Sequence, residues 1–144
     1  METIESRQLS SEFQELHSEN KEWIADVLFM EDEIRFYKKL FDKVITAAIH
    51  ENRVMELSPL SKKLGQLDEK KEALKLLITK NQHLLESIIK DAEKTVGMEV
   101  IEENTEITKE IKLLFMEERA IRKALFSISE NIFDEENKNH LLGE

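Results

Sequence analysis

The chain has no cysteine, three glycines, one proline and few aromatic residues, 6% of its 144 positions. Without cysteine there can be no disulfide, no thiolate metal site and no thiol nucleophile, and the composition suits a reducing compartment. Three glycines and one proline leave few positions for tight turns, so a β-rich fold is excluded and long helices are expected. No apolar run approaches the roughly 18 residues that span a bilayer. The acidic start Met1-Glu2-Thr3-Ile4-Glu5 has no apolar core of a secretory signal. These absences read as a soluble, cytoplasmic protein of one domain, residues 1–144.

What is present is a cadence. Leu9, Phe13, Leu16, Asn20, Trp23, Val27, Met30, Ile34, Tyr37, Phe41, Val44 and Ala48 recur at alternating steps of three and four. Such a period, held over several heptads, marks one face of a long helix. A second seam reads Leu60, Leu64, Leu67, Lys71, Leu74, Ile78, Asn81, Leu85, Ile88 and Ala92. The third reads Val100, Asn104, Ile107, Ile111, Leu114, Glu118, Ile121, Leu125, Ile128 and Ile132.

The spacing predicts helix one over about 10–54, with Ser11 and Gln14 spaced as a capping box. Ser58-Pro59 predicts the start of helix two, with Ser58 as N-cap and Pro59 at the first helical position, running over about 59–96. Gly97 after Lys94 suits a left-handed C-cap. Helix three is expected over about 99–133, although Asn104 or Thr105 could cap a later start. The tail 134–144 loses the period and is expected to fray. Short connections force successive helices antiparallel. The fold class is therefore all-α: an elongated antiparallel up-down-up three-helix bundle of long helices with coiled-coil-like packing.

Five seam positions are polar: Asn20, Lys71, Asn81, Asn104 and Glu118. A buried polar layer penalises slipped alignments, which makes register control the first reading. Lys71 and Glu118 could just meet; otherwise Lys71 extends along its aliphatic stem and Glu118 pairs with Arg122 one turn on.

The formal charge of -10 is unevenly distributed. Residues 1–26 hold seven acids against Arg7 and Lys21, and residues 86–110 hold eight against Lys90, Lys94 and Lys109. Antiparallel helices bring these segments to one acidic pole, represented by Glu12, Glu15, Glu19, Glu22, Glu99, Glu102, Glu103 and Glu106. Carboxylates there complement the helix N-termini and could also receive a cationic protein partner. Bases are expected to gather near the middle of the bundle: Arg35, Lys38, Lys39, Lys43, Lys70, Lys71, Lys75, Arg119, Arg122 and Lys123. The overall negative charge disfavours nucleic acid.

Leu28, Phe29 and Phe36 on helix one, and Phe115, Phe126 and Phe133 on helix three, lie off the seams. Folding places Phe36 level with Phe115. The stripe is either the packing between helices one and three or a surface for a partner or a second copy, as in a homodimer.

Chemical motifs are sparse. A di-iron bundle needs Glu-x-x-His pairs, but Gln14, Ala47, Lys80 and Asn137 stand three before the four histidines. His17, His50 and His83 lack a His or carboxylate companion at i, i+4. Glu136 and His140 have that spacing in the expected fraying tail, and the acidic cluster lacks the glycine-containing loop of calcium sites.

His50-Glu51-Asn52-Arg53 followed by Ser58-Pro59-Leu60 resembles the phospho-acceptor box of sensor histidine kinases, which also sits on a helical hairpin. In that family the proline follows almost directly; here four extra residues intervene and no glycine-rich ATP-binding domain accompanies it. The resemblance implies a phosphotransfer histidine at position 50, against a plain surface histidine near a helix end. The expectation is a non-catalytic, self-associating interaction or scaffold module with no cofactor and no metal. A ligand- or metal-binding bundle, or a phosphotransfer protein using His50, stands as the alternative.

Overall fold

A computed structural model describes the backbone of residues 4–90 and 98–141, and side chains for residues 11–88 and 100–138. Ala92, Lys94, Gly97, the side chains of Leu9, Glu99 and His140, and the last residues of the tail lie outside what is described. Three helices carry the chain: α1 (Ile4–His50), α2 (Ser58–Lys90) and α3 (Met98–Leu141). There is no strand among the described residues. The protein is all-α, its three helices packed against one another, as the period of its apolar residues demands.

Several ends differ from the expectation. Helix α1 begins at Ile4, so Ser11 lies inside it and does not cap it; no glycine or proline interrupts residues 4–10, and nothing there opposes helix. Helix α1 closes at its far end through Asn52, whose φ of 58° is left-handed. The Arg53 N–H donates to Ala48 O at 2.8 Å and the Asn52 N–H to Ile49 O at 3.3 Å. That six-to-one and five-to-two pair is a Schellman closure with asparagine in the place glycine often takes.

A single 3-10 turn, Val54–Leu57, then leads straight into α2. Ser58 has helical angles (φ -56°, ψ -47°) and gives its N–H to Met55 O, so it does not act as an extended N-cap. The preceding turn already supplies the partner that a cap would provide. Pro59 still falls in the first turn of α2, where its missing N–H costs no helical bond.

Helix α3 starts at Met98 and continues to Leu141. Asn104 and Thr105 are interior to it, returning side-chain bonds to Val100 O and Ile101 O. The expected frayed tail is helical through residue 141, and Arg53 holds its first turn through Glu135. One seam position also shifts: Ser129 is buried at 7%, while Ile128 is half-buried beside it.

The chain divides into two compact units, each with a segment from all three helices. Unit 1 comprises Met1–Phe29 and Lys71–Leu113; unit 2 comprises Met30–Lys70 and Leu114–Glu144. In unit 1 the buried apolar residues include Trp23, Val27, Leu74, Ile78, Leu85, Ile107 and Ile111. Phe13 and Leu16 pack on Leu85, Ile88 and Val100. In unit 2 Met30, Ile34, Tyr37, Val44, Leu57, Leu67, Leu125 and Ile132 are almost wholly removed from water. Each such side chain contributes about 1.5–3 kcal/mol on burial.

Candidate functional site

Unit 1 is organised around an asparagine triangle. Asn20, Asn81 and Asn104, one from each helix, are 0%, 1% and 4% exposed. Asn20 Nδ2 donates to Asn104 Oδ1 at 3.0 Å, and Asn81 Nδ2 donates to Asn20 Oδ1 at 3.0 Å and Asn104 Oδ1 at 3.1 Å. Asn20 and Asn104 turn their remaining donor to Leu16 O and Val100 O, one turn back on their own helices. Asn81 Oδ1 is buried without a hydrogen-bond partner. A slip of one helical turn would set these amides against apolar neighbours, so the layer holds three helices in one register.

Close by in the same unit, His17 Nε2 lies 3.3 Å from Glu86 Oε1, and Gln82 and His83 reach the same carboxylate at 3.4 and 3.9 Å. The His17 contact, aided by Gln82 and His83 and opposed by partial burial, holds the Glu86 carboxyl below its usual range. This pairing was not anticipated from the sequence, since His17 and Glu86 are 69 residues apart.

The carboxylates expected at an acidic pole all belong to unit 1, because residues 1–26 and 86–110 fall within its two segments. Glu12, Glu15, Glu22, Glu102 and Glu106 are exposed, and Glu19 and Glu103 half-buried. Unit 1 holds 16 acids and 9 bases, unit 2 holds 15 and 12. Lys71, also in unit 1, is only 3% exposed; its ammonium lies 2.5 Å from Glu72 Oε1, so its buried stem ends in an ion pair near the surface.

In unit 2 the buried carboxyl is Glu118, 3% exposed. The Tyr37 hydroxyl bonds to it and to Glu33 Oε2 at 2.9 Å, and Arg122 Nη1 stands 3.6 Å from Glu118 Oε1 and 4.0 Å from Glu33 Oε2. Burial, followed by the neighbouring Glu33 carboxyl, raises Glu118 above the usual carboxylate range, while Tyr37 and Arg122 pull it back. Burial and the two carboxyls drive the Tyr37 hydroxyl upward as well. The one-turn pairing of Glu118 with Arg122 was legible; Tyr37, which reads as a core aromatic, carries the same group's strongest contact.

The off-seam aromatics do not behave alike. Leu28, Phe29, Phe36 and Phe126 are 44%, 61%, 55% and 43% exposed, while Phe115 and Phe133 are half-buried. The ring that meets Phe36 is Phe126, with centroids 6.5 Å apart and planes at 71°, and not Phe115. Tyr37 completes the cluster, 6.1 and 6.2 Å from the two rings. Edge-to-face pairs of this kind contribute about 0.5–1.5 kcal/mol beyond burial.

Two further features of unit 2 escaped the sequence reading. Arg53 gathers Glu56, Asn131 and Glu135 around one guanidinium. A cleft of about 220 Å³ opens between Pro59, Leu60 and Lys63 of α2 and Ala120, Ala124 and Ile128 of α3. Glu56 and Ile121 complete its lining, so with Lys63 it carries one charge of each sign. His50 is exposed as the last residue of α1. Among the described residues no group of three His, Asp or Glu side chains converges to hold a metal ion, and no helix is long and apolar enough to cross a membrane.

Comparison with protein-family models, with curated proteins and with solved structures gives no match. Fold and geometry therefore carry the functional reading.

Proposed function

We propose that this protein is a non-catalytic helical interaction or scaffold module of the cytoplasm, self-associating, with the carboxylates of unit 1 receiving a cationic protein partner. The observation that carries the reading is an imbalance of unpaired charge. Glu12, Glu15, Glu19, Glu22, Asp26, Glu102, Glu103, Glu106 and Glu110 make no ion pair among the described residues, against Lys21, Lys80, Lys109 and Lys112 in the same unit. Such a surface raises the encounter rate of a positively charged partner more than it raises affinity. Asn81 Oδ1 apart, the buried polar side-chain atoms of the described residues already have partners, which suits a scaffold better than a reaction centre.

The test is the association rate of the full chain with a lysine-rich peptide, followed against ionic strength. A rate that falls steeply with salt, and falls again in Glu102→Gln/Glu103→Gln/Glu106→Gln, supports the reading. A rate indifferent to both removes it.

Phosphotransfer through His50 has the accessibility of that imidazole in its favour. Incubation with a small phosphoryl donor, followed by mass spectrometry of the intact chain and of His50→Gln, decides it. Label that persists in the variant rules the histidine out.

A further inference from the structure

Unit 2 exposes an aromatic pair with a basic border. Phe36 and Phe126 leave about half of their surface in water although they touch each other. Lys39 and Lys43 follow Phe36 by three and seven residues, and Lys123 and Arg119 precede Phe126 by the same steps, so each set shares its helix face. All four cations are exposed, and none makes an ion pair among the described residues. Unpaired cations around half-exposed aromatic rings describe a surface for an acidic, partly apolar partner.

Unit 1 carries the complementary feature on α1. Glu12, Glu15, Glu19, Glu22, Asp26 and Phe29 follow one another at steps of three and four, a single stripe on one helix face. Phe29 is 61% exposed, and Glu22 and Asp26 are exposed without ion pairs. Counting back from Phe29 reaches Asp26 and Glu22 at three and seven residues; counting forward from Phe36 reaches Lys39 and Lys43 at the same steps. Two helices laid antiparallel, with Phe29 against Phe36, therefore set Asp26 opposite Lys39 and Glu22 opposite Lys43.

We infer that the Phe36–Phe126 surface of unit 2 docks the Glu22–Asp26–Phe29 stripe of a second copy of this chain. The inference rests on the self-associating module proposed above and names its interface. Each copy carries both the stripe and its receiver, so two copies can make the contact twice in a closed dimer. The phenylalanines supply apolar burial at the centre, and the charges favour the antiparallel alignment, since the parallel one would set Asp26 opposite Glu33 and Glu22 opposite Phe29 and lose both ion pairs.

The experiment is a charge exchange read by analytical ultracentrifugation of the full chain over a concentration series. Lys39→Glu/Lys43→Glu and Glu22→Lys/Asp26→Lys each place like charges across the contact, and each alone is expected to weaken self-association by about tenfold or more. Mixed in equal amounts, the two variants regain opposite charges at both contacts and are expected to associate as the unaltered chain does. Recovery on mixing also shows that both variants are folded. Self-association that ignores both exchanges, or variants that stay apart when mixed, overturns this interface while leaving self-association itself standing. An unaltered chain that stays monomeric across the series overturns the interface and the self-association together, and leaves the lysine-rich peptide test to judge the acidic surface alone.

Discussion

Arg53 Nη1 stands 2.6 Å from Glu135 Oε2 and 2.9 Å from Asn131 Oδ1, so the residue that follows the left-handed Asn52 grips α3 more than 75 positions further along the chain. The same guanidinium holds Glu56 through Nε at 2.5 Å, which keeps the Glu56 carboxyl below its usual range. Asn131 and Glu135 are one turn apart on α3, and Ile132 between them is wholly buried. The acidic end of α3 is thereby tied down just where the apolar period stops.

Replacing that guanidinium should loosen the end of α3. Arg53→Met keeps the aliphatic stem and removes three partners' shared donor. Amide hydrogen exchange over residues 131–138 is expected to accelerate, with little change elsewhere in the helices. Unchanged protection in that stretch would show that the tail is helical without the clamp.

The asparagine triangle predicts that a single replacement costs more stability than a triple one. Asn20→Leu strips Asn81 of one acceptor and leaves Asn104 with one donor fewer, and is expected to cost about 1–3 kcal/mol in chemical denaturation. Replacing Asn20, Asn81 and Asn104 together by leucine removes every unpaired group, including Asn81 Oδ1, and is expected to raise the denaturation midpoint above that of the single variant. A triple variant weaker than the single one would contradict this account of the layer.

Glu118 gives the stability a pH dependence. Its carboxyl is raised in the folded protein, first by burial and then by Glu33, so the folded state binds the proton more tightly than the unfolded chain. The stabilisation is complete below the ordinary carboxylate pKa and is lost as pH rises through the raised folded value. Glu118→Gln keeps the shape and one hydrogen-bonding oxygen for Tyr37 but cannot ionise. Denaturation midpoints measured from mildly acidic to mildly alkaline buffer should fall in the unaltered protein and fall less in the variant. Parallel curves would remove Glu118 as the source.

Gly65 sits inside α2 with open space where a Cβ would go, nothing approaching within 4 Å. Glycine costs a helix interior roughly 0.5–1 kcal/mol relative to alanine. Gly65→Ala is expected to stabilise the protein by about that amount, measured as a rise in thermal midpoint. A fall would mean that this stretch of α2 needs the freedom of glycine.

Much of this architecture was written in periodicity. The seam positions from Trp23 to Ala48 were found buried because a step of three and four keeps them on one face of any helix, whatever it packs against. The five polar seam residues are buried for the same reason. Helix ends were read less well. Ser11 and Ser58 have the right side chains for caps, yet a helix runs on wherever no breaker opposes it and a neighbouring turn satisfies the first donors.

The amino-acid order alone thus determined three helices, their inner faces and the uneven placement of charge, all of which are properties of residues a few positions apart. Tertiary packing alone decided which side chains found each other: Asn20 with Asn81 and Asn104, His17 with Glu86, Tyr37 with Glu118, Arg53 with Glu135 and Phe36 with Phe126. Each joins residues at least 61 positions apart. The reason is geometric. A helical period fixes the direction of a side chain around its own axis, whereas a contact between helices depends on axial register and on the lean of each side chain, which are set only when the helices meet.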